Sequence, residues 1–262
     1  MKEHVMWSEG PGEVRPQAIP AYFDGNPYPG RGIVVGTASD GGSLYVAYFI
    51  MGRSENSRNR VFALDDDVVR TRPFDDSKVE DASLIIYRAV VSVQLPNASA
   101  WVVTNGDHTD TVVAGLTAGT SFEDALMTRR FEPDAPNLTP RISALIAVPS
   151  SGDTAEYQMS ILKAADPEGR ATQRFFYRYE LLPGFGHTIH TYLSDGTPLP
   201  SFVGEPRPLL MPQSFAEFGS QIWQSLNAKN KISLYTLQIG LSGQMRGRVI
   251  EQSIVNTHVK TS

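Results

Sequence analysis

The hydrophobic positions of this chain fall mostly into short, nearly continuous runs separated by Gly, Pro, Asn and Asp. Such runs, rich in Val, Ile, Leu and Tyr, predict β-strands, and the small polar residues between them predict turns. The clearest case is a hairpin around Ser39-Asp40-Gly41-Gly42. Strands are predicted over residues 32–37, 43–51, 84–93, 100–104, 142–148, 157–162, 174–182, 188–193, 232–239 and 248–255.

Helical signals are few. Ser121 stands before an acidic turn and predicts a helix that runs to about Arg130. A second helix is predicted over residues 214–226, whose apolar side chains recur at spacings of three and four. Residues 109–116 give only a short and ambiguous helical signal. The order of strands, helices, strands, helix and strands predicts an α+β protein with layered, mainly antiparallel sheets.

Composition narrows the class of protein. The 262 residues include 22 glycines and 18 prolines, which favours many turns and short strands over a helical bundle. Residues 1–27 are rich in both and are predicted to form an irregular N-terminal arm. The net charge of −5 provides no general basic field, so we expect neither a nucleic-acid partner nor an anionic membrane.

The chain contains no cysteine, which excludes disulfides, thiolate metal sites and cysteine nucleophiles. No stretch approaches the roughly 18 apolar residues of a membrane span, and the N-terminal residues lack the apolar core of a signal peptide. We therefore expect a soluble, cytoplasmic protein. Phosphate-binding glycine loops, dinucleotide fingerprints and the Gly-x-Ser-x-Gly motif are also missing, so no cofactor is expected.

Three polar segments are candidates for chemistry. Residues 52–60 carry three arginines with Ser and Asn between them, directly after an apolar run. Arginine grips phosphate with a planar fork, so this segment is either an anion site or a solvated loop. Residues 104–110 place an amide, two carboxylates and an imidazole after another run, in a spacing that matches no metal motif. Residues 132–141 form a proline-stiffened loop with acids and an arginine, which favours a functional role.

Together and in this order, these segments resemble the archaeal-type inosine monophosphate (IMP) cyclohydrolase family. The resemblance is close over residues 28–148 and looser to about residue 240. It rests on Tyr28-Pro29-Gly30-Arg31, Arg53-Ser54 with Asn59-Arg60, Tyr87, Asn105-Gly106-Asp107-His108-Thr109-Asp110, and Glu132, Asp134, Asn137 and Thr139-Pro140-Arg141-Ile142.

The resemblance implies a fold and a reaction. The fold is a four-layer αββα sandwich of the N-terminal-nucleophile hydrolase type, used without an N-terminal nucleophile and built here from a single domain over residues 28–262. The reaction closes 5-formamidoimidazole-4-carboxamide ribotide (FAICAR) to IMP and releases water, in the last step of purine synthesis. The implied partner is this small purine ribotide, with no metal and no cofactor, and the implied assembly is a homo-oligomer, a tetramer.

The resemblance also implies site residues. The reacting groups are assigned to Arg60, Tyr87 and Glu132. Substrate binding is assigned to Arg31, Arg53, Ser54, Asn59, Asn105, Asp107, His108, Asp110, Asn137, Thr139 and Arg141.

The reaction asks for few groups because the amide nitrogen and the formyl carbon belong to one molecule. It needs a phosphate anchor, a donor for the oxyanion and a proton acceptor. Glu132 is the candidate acceptor, with burial expected to raise its pKa; alternatively it only pairs with Arg130 or Arg141 and fixes its loop. Asp107 and Asp110 are the next candidates for the base.

The chain also departs from the archaeal pattern. Arg130 stands where archaeal members carry an acid, and Phe131 replaces a Tyr. Two alternatives to the cyclohydrolase therefore stay open: an amidohydrolase-type enzyme of different substrate on the same scaffold, and a non-catalytic purine-nucleotide-binding module.

Overall fold

The computed structural model of the protein describes residues 15–79 and 86–258. In chain order its strands are β1 (Gln17–Ala18), β2 (Arg31–Thr37), β3 (Ser43–Met51), β4 (Val61–Asp65), β5 (Val68–Arg72), β6 (Arg88–Leu95), β7 (Ala98–Thr104), β8 (Arg141–Pro149), β9 (Glu156–Ala164), β10 (Thr172–Glu180), β11 (Phe185–His190), β12 (Arg207–Leu210), β13 (Lys231–Gly240) and β14 (Val249–Asn256). Its helices are α1 (Ile19–Phe23), α2 (Glu55–Arg58), α3 (His108–Thr117), α4 (Phe122–Met127) and α5 (Phe215–Ser225), with single 3₁₀ turns at Asp76–Lys78 and Gly243–Met245.

The strands form two seven-stranded sheets. The first has the order β1-β12-β11-β2-β3-β13-β14, and the second has the order β10-β9-β8-β7-β6-β5-β4. Every neighbouring pair is antiparallel except β1 with β12. The prediction of an α+β protein with mainly antiparallel sheets is confirmed.

The unbroken apolar runs of β2 and β3 arise because these strands are covered on both faces. Ile33 and Val35 of β2 point into a core shared with the second sheet, where they join Trp101 and Ile146. Val34, between them, points to the opposite face and packs with α1 and α5. A third apolar cluster joins the outer face of the second sheet to α3 and α4. The layers therefore run helix, sheet, sheet, helix.

The helices follow their capping signals. Ser121 accepts a hydrogen bond from the Asp124 backbone N–H and starts α4, which ends at Met127, three residues earlier than predicted. Ser214 and Glu217 form a capping box at the start of α5, whose predicted extent is confirmed within one residue. The ambiguous residues 109–116 lie in α3.

Several elements differ from the sequence-based expectation, among them β12, where no strand was predicted. The hairpin of β4 and β5 was not predicted, because three consecutive aspartates interrupt it and both strands are short. The expectation of an irregular arm is wrong for Gln17–Phe23, which form β1 and α1 and bury Ile19 and Phe23. The rest of that arm, residues 1–14, and the start of the strand predicted at 84–93 lie outside the described residues. Within the described ranges no helix is long and apolar enough to cross a membrane.

Candidate functional site

A cavity of about 310 Å³, which we call the ligand cavity, opens where four chain segments meet at one end of the two sheets. In the first sheet the start of β2 and the ends of β3 and β11 lie there, because neighbouring antiparallel strands begin and end together. The start of β8, in the second sheet, lies beside them. Its lining includes three of the predicted arginines and the predicted glutamate. The lining residues that carry polar chemistry are Tyr28, Arg31, Arg53, Ser54, Asn56, Ser57, Arg60, Glu132, Asp134, Asn137, Thr139 and Tyr192.

A buried ion pair forms the floor of this ligand cavity. Arg31 donates two parallel hydrogen bonds of 2.9 Å to the two carboxylate oxygens of Glu132, and a third of 2.9 Å to the Asn105 carbonyl. Burial by itself lowers the pKa of Arg31, but the Glu132 carboxylate together with the hydroxyls of Tyr87, Tyr192 and Tyr48 makes the net shift upward. Glu132 therefore pairs with Arg31 and not, as the alternative reading had it, with Arg130 or Arg141.

Arg60 is buried, and backbone carbonyls fix its position. Its Nε donates to the Ser57 carbonyl at 2.8 Å, and one Nη donates to the Met51 carbonyl at 3.1 Å. A guanidinium has five N–H donors, so these two bonds leave further donors for a ligand in the cavity. The rigid placement is suited to a group that must hold an oxygen without reorganising.

Arg53 lies at the rim of the cavity and is partly exposed. It pairs with the Asp195 carboxylate, donates to the Gly196 carbonyl at 3.1 Å, and sits 5.0 Å above the ring centroid of Tyr28. Ser54 next to it caps the one-turn helix α2 through Ser57. This rim is the most accessible cationic part of the lining.

Asn59, in the same segment, does not line the ligand cavity. Its side-chain amide donates to the Asp75 carbonyl at 2.7 Å and its side-chain oxygen accepts from the Asp75 backbone N–H at the same distance. These two bonds join the arginine segment to the loop after β5. Asn59 therefore stabilises the position of the arginine segment.

The proline-stiffened loop contributes three polar side chains to the wall. Asp134 accepts from the Thr139 backbone N–H at 2.7 Å and closes the loop on itself. Thr139 shares a hydrogen bond of 2.5 Å with the Tyr192 hydroxyl, and the Asn137 oxygen accepts from the Leu199 backbone N–H at 3.1 Å. These contacts tie the loop to the segment that follows β11.

The polar segment after β7 lies behind the ligand cavity, and none of its predicted residues lines it. Asn105 bridges the Pro140 carbonyl and the Ile142 backbone N–H, at 2.9 and 2.8 Å. Asp107 pairs with Arg141 at 2.7 Å and also with Arg129. Asp110 pairs with Arg88 at 2.7 Å. In this structure the segment braces the start of β8.

His108 also contributes to the contacts that stabilise the start of β8. Arg141 donates to its Nδ1 at 3.1 Å, so the neutral ring carries its proton on Nε2 and donates to the Ser143 hydroxyl at 3.0 Å. Burial, followed by the charge of Arg141, lowers the pKa of His108 well below its usual range. A neutral histidine held in this way supports Arg141, which itself lies just behind Glu132.

Tyr87 is also set back from the ligand cavity. Its hydroxyl shares a hydrogen bond of 2.7 Å with the hydroxyl of Tyr48 in the core between the sheets. Burial raises the pKa of Tyr48 well above its usual value, so the Tyr48 hydroxyl stays neutral. The Arg130 side chain points elsewhere, to the Gly169 carbonyl and the Thr172 hydroxyl, at 2.6 and 3.1 Å.

Sequence reasoning missed two tyrosines of the lining. The rings of Tyr28 and Tyr192 lie 5.8 Å apart and nearly parallel. Tyr192 reaches the site because its backbone N–H binds the Pro29 carbonyl. Gly30 permits this approach: its φ is +82°, and a Cβ there would lie 2.3 Å from the Thr191 hydroxyl oxygen. A contact between residues so distant in sequence leaves no local signal.

Three guanidinium groups and two carboxylates, those of Glu132 and Asp134, line one small cavity, an arrangement chemically suited to an anionic ligand. Among the described residues, no three His, Asp or Glu side chains are grouped so that they would hold a metal ion. The sequence profile of the IMP cyclohydrolase-like protein family matches residues 28–241 of the chain. The chain belongs to this family.

Two relatives are themselves IMP cyclohydrolases. The enzyme of Methanocella arvoryzae is 34% identical over 124 residues, which covers 46% of this chain and 58% of the relative. The enzyme of Methanococcus maripaludis is 32% identical over 151 residues, which covers 55% of this chain and 71% of the relative. The chain thus matches a little over half the length of the first relative and about seven-tenths of the second.

Proposed function

We propose that this protein is an IMP cyclohydrolase that closes FAICAR to IMP and releases one water. The observation that carries the proposal is the convergence of Arg31, Arg53 and Arg60 on one cavity, in a chain of this family. The cavity volume of about 310 Å³ falls at the lower end of the range of about 300–1,000 Å³ for small-molecule sites.

The 5′-phosphate is assigned to Arg53. This guanidinium lies at the rim and is bound to the exposed carboxylate of Asp195. A phosphate can take the place of this carboxylate, because two of its oxygens also fit the fork of the guanidinium. The Ser54 hydroxyl lies in the same part of the lining and supplies a neutral hydrogen-bond donor, whereas the Ser57 hydroxyl already donates to the Ser54 carbonyl at 2.9 Å. The ribotide then extends inward, towards Arg60 and Arg31.

The ring closure forms a bond between the carboxamide nitrogen and the formyl carbon. The carboxamide nitrogen loses one proton as it attacks, and the formamide nitrogen loses its proton as a C=N bond forms and the C–O bond breaks. These two protons leave with the former formyl oxygen as water. Arg60 is assigned to the negative charge that develops on this oxygen, because its remaining N–H donors are fixed and stay charged at any working pH.

Glu132 is assigned as the proton acceptor, with one condition set by its contacts. Both of its oxygens accept hydrogen bonds from Arg31, so one of these bonds must open first. A substrate oxygen that binds Arg31 would compete for that N–H and release a carboxylate oxygen. The alternative is that Glu132 only orients Arg31.

Tyr87 is assigned a positioning role through Tyr48, since its hydroxyl is not part of the cavity lining. The phenols available to the substrate are those of Tyr28 and Tyr192. Burial is the main cause that raises the pKa of Tyr192 to about 12, so at neutral pH its hydroxyl is a hydrogen-bond donor and not a phenolate.

The family resemblance extends the proposal to the fold type and the assembly. We assign the helix–sheet–sheet–helix layers to the N-terminal-nucleophile hydrolase type and residues 28–262 to one domain. A homotetramer is expected. Light scattering at micromolar concentration tests the assembly, and a monomer there contradicts it.

The activity is tested with purified protein and FAICAR, with IMP formation followed by absorbance. Arg53→Ala tests the site, and Arg58→Ala is the matched control, since Arg58 belongs to the same segment but binds the Lys229 and Gly52 carbonyls outside the cavity lining. A value of kcat/KM that Arg53→Ala lowers through a higher KM, and that Arg58→Ala leaves unchanged, supports the proposal. Binding of IMP without turnover supports the non-catalytic module, and neither binding nor turnover indicates a different substrate.

A further inference from the structure

A second cavity, of about 620 Å³, lies between the edges of the two sheets. One wall comes from β9 and β10 at the edge of the second sheet, and the other from β11 and β12 near the edge of the first. It shares no lining residue with the ligand cavity. We call it the tyrosine cavity, after Tyr157, Tyr177 and Tyr179 in its wall.

Aromatic rings in fixed positions form this wall. The ring of Tyr179 stacks on His187 with centroids 3.7 Å apart, and Tyr157 lies 5.1 Å from Tyr179. The Tyr157 hydroxyl and His187 Nδ1 are 2.6 Å apart. Tyr177 is held at the opposite end of the wall by a weak contact, of 3.4 Å, between its hydroxyl and the Gly204 carbonyl. These contacts fix the positions of the rings relative to one another.

The charge of the lining is negative. Glu180 and Glu205 both line the tyrosine cavity, and neither forms an ion pair within the described part of the chain. The cationic side chain among the described lining residues is that of Arg15. Burial lowers the pKa of His187 to about 4, so this ring is neutral at pH 7. Two carboxylates against one guanidinium leave a net charge of −1.

We propose that the tyrosine cavity binds a small organic cation, an alkylammonium compound whose charged head lies against the tyrosine rings and between the carboxylates of Glu180 and Glu205. The faces of aromatic rings attract cations because their electron density is negative, and desolvation in a cavity strengthens this attraction. The apolar remainder of the wall, including Leu182 and Pro208, accommodates the alkyl part. The net negative charge opposes an anion such as the ribotide phosphate.

The Tyr179 hydroxyl gives the head group a further partner. It has no hydrogen-bond partner in the described ranges, and Glu205 lies near enough to contribute, after burial, to raising the pKa of both Tyr177 and Tyr179. A phenol oxygen beside a carboxylate can accept a hydrogen bond from a primary ammonium group, whereas a quaternary head group such as that of choline has no N–H and interacts with this oxygen through its charge alone.

The test compares choline with 3,3-dimethylbutan-1-ol, which has the same shape but a neutral carbon in place of the nitrogen. Calorimetric titration of the full chain with each compound measures binding directly and does not depend on cyclohydrolase activity. We expect choline to bind at least about tenfold more tightly than the alcohol. Equal affinities, or no binding of choline up to about 20 mM, would overturn the proposal.

Variants locate the bound cation. Glu205→Gln is expected to weaken choline binding by about three- to tenfold, because it removes one exposed carboxylate without changing shape. Glu251→Gln is the matched control, since this exposed residue lies on β14, at the far edge of the first sheet. Tyr179→Leu removes a ring and should also weaken binding, with a thermal melt to verify folding. Unchanged affinity in both Glu205→Gln and Tyr179→Leu would show that the cation binds elsewhere and refute the assignment.

Discussion

Replacing Glu132 with Gln leaves Arg31 buried without its counter-ion. The side chains of Arg31 and Glu132 are only 9% and 6% exposed, and two hydrogen bonds of 2.9 Å join them. Glutamine keeps the shape, but it removes the negative charge and turns an amide N–H₂ towards the guanidinium. Breaking a buried pair in this way costs about 3–5 kcal/mol, because the remaining charge stays desolvated. We expect Glu132→Gln to lose that much free energy of unfolding.

Denaturant unfolding measures this loss, and two further variants show its origin. Glu55→Gln is the control, because Glu55 pairs with Lys78 at 3.0 Å on the exposed surface, where loss of an ion pair changes the free energy of unfolding little. Arg31→Met combined with Glu132→Gln removes both charges and should recover most of the stability lost in the single variant. A loss below about 1 kcal/mol in Glu132→Gln, or additive losses in the double variant, refutes the buried-pair reasoning.

The same variant separates the two roles proposed for Glu132 in catalysis. If Glu132 accepts the amide proton, turnover falls by about 10²–10⁴-fold and the acidic limb of the pH–rate profile disappears. If Glu132 only orients Arg31, the acidic limb remains and the loss resembles that of an Arg31 variant. Rates must be compared at a temperature where circular dichroism shows the variant to be folded.

Three further predictions follow from the contacts of single side chains. Arg53→Ala should raise KM by about 10–100-fold with little change in kcat, since a phosphate contact is largely uniform binding; lower kcat at unchanged KM contradicts this. Tyr87→Phe should keep turnover within about threefold, because the hydroxyl binds Tyr48 outside the cavity lining; a loss of 10² or more in initial rate would make Tyr87 catalytic. Burial lowers the pKa of His187 and His190 to about 4, so the unfolded chain binds more protons than the folded one below about pH 6.5. The free energy of unfolding should therefore fall as the pH drops from about 6.5 to 4, and it should fall less steeply in His190→Gln. A melting temperature that stays constant over this pH range would exclude this effect.

The elements that could be predicted from sequence are those with a strong local cause. The β2–β3 hairpin follows from two apolar runs around a glycine turn, and α4 and α5 follow from Ser121 and Ser214 at their N-caps. The β4–β5 hairpin could not be predicted, because its turn uses Asp66 at a positive φ of 52° within a run of aspartates that looks like a solvated loop.

The site could also be predicted only in part, because only some of its residues belong to a segment that the local sequence marks. The arginine segment after β3 does reach the cavity with Arg53 and Arg60. The equally polar segment after β7 does not, because its side chains bind the backbone and arginine of β8 and leave nothing directed at a ligand. Both segments are polar, so polarity alone does not separate a bracing segment from a binding segment. The tertiary partners of their side chains, such as Arg141 for His108 and Asp195 for Arg53, distinguish the two.

The strand order of the first sheet has a consequence for how the chain acquires its shape during synthesis. The second sheet is contiguous in sequence from β4 to β10, whereas β2 and β3 acquire their outer neighbours, β11 and β13, from the last third of the chain. In a growing chain the β2 edge of this hairpin therefore stays unpaired until β11 has been made and the β3 edge until β13 has been made, and such edges are prone to wrong pairing. Since Tyr192 and Leu199 line the ligand cavity beside Arg31, the cavity closes only after β11 has joined β2, and ligand binding reports that this late pairing has taken place.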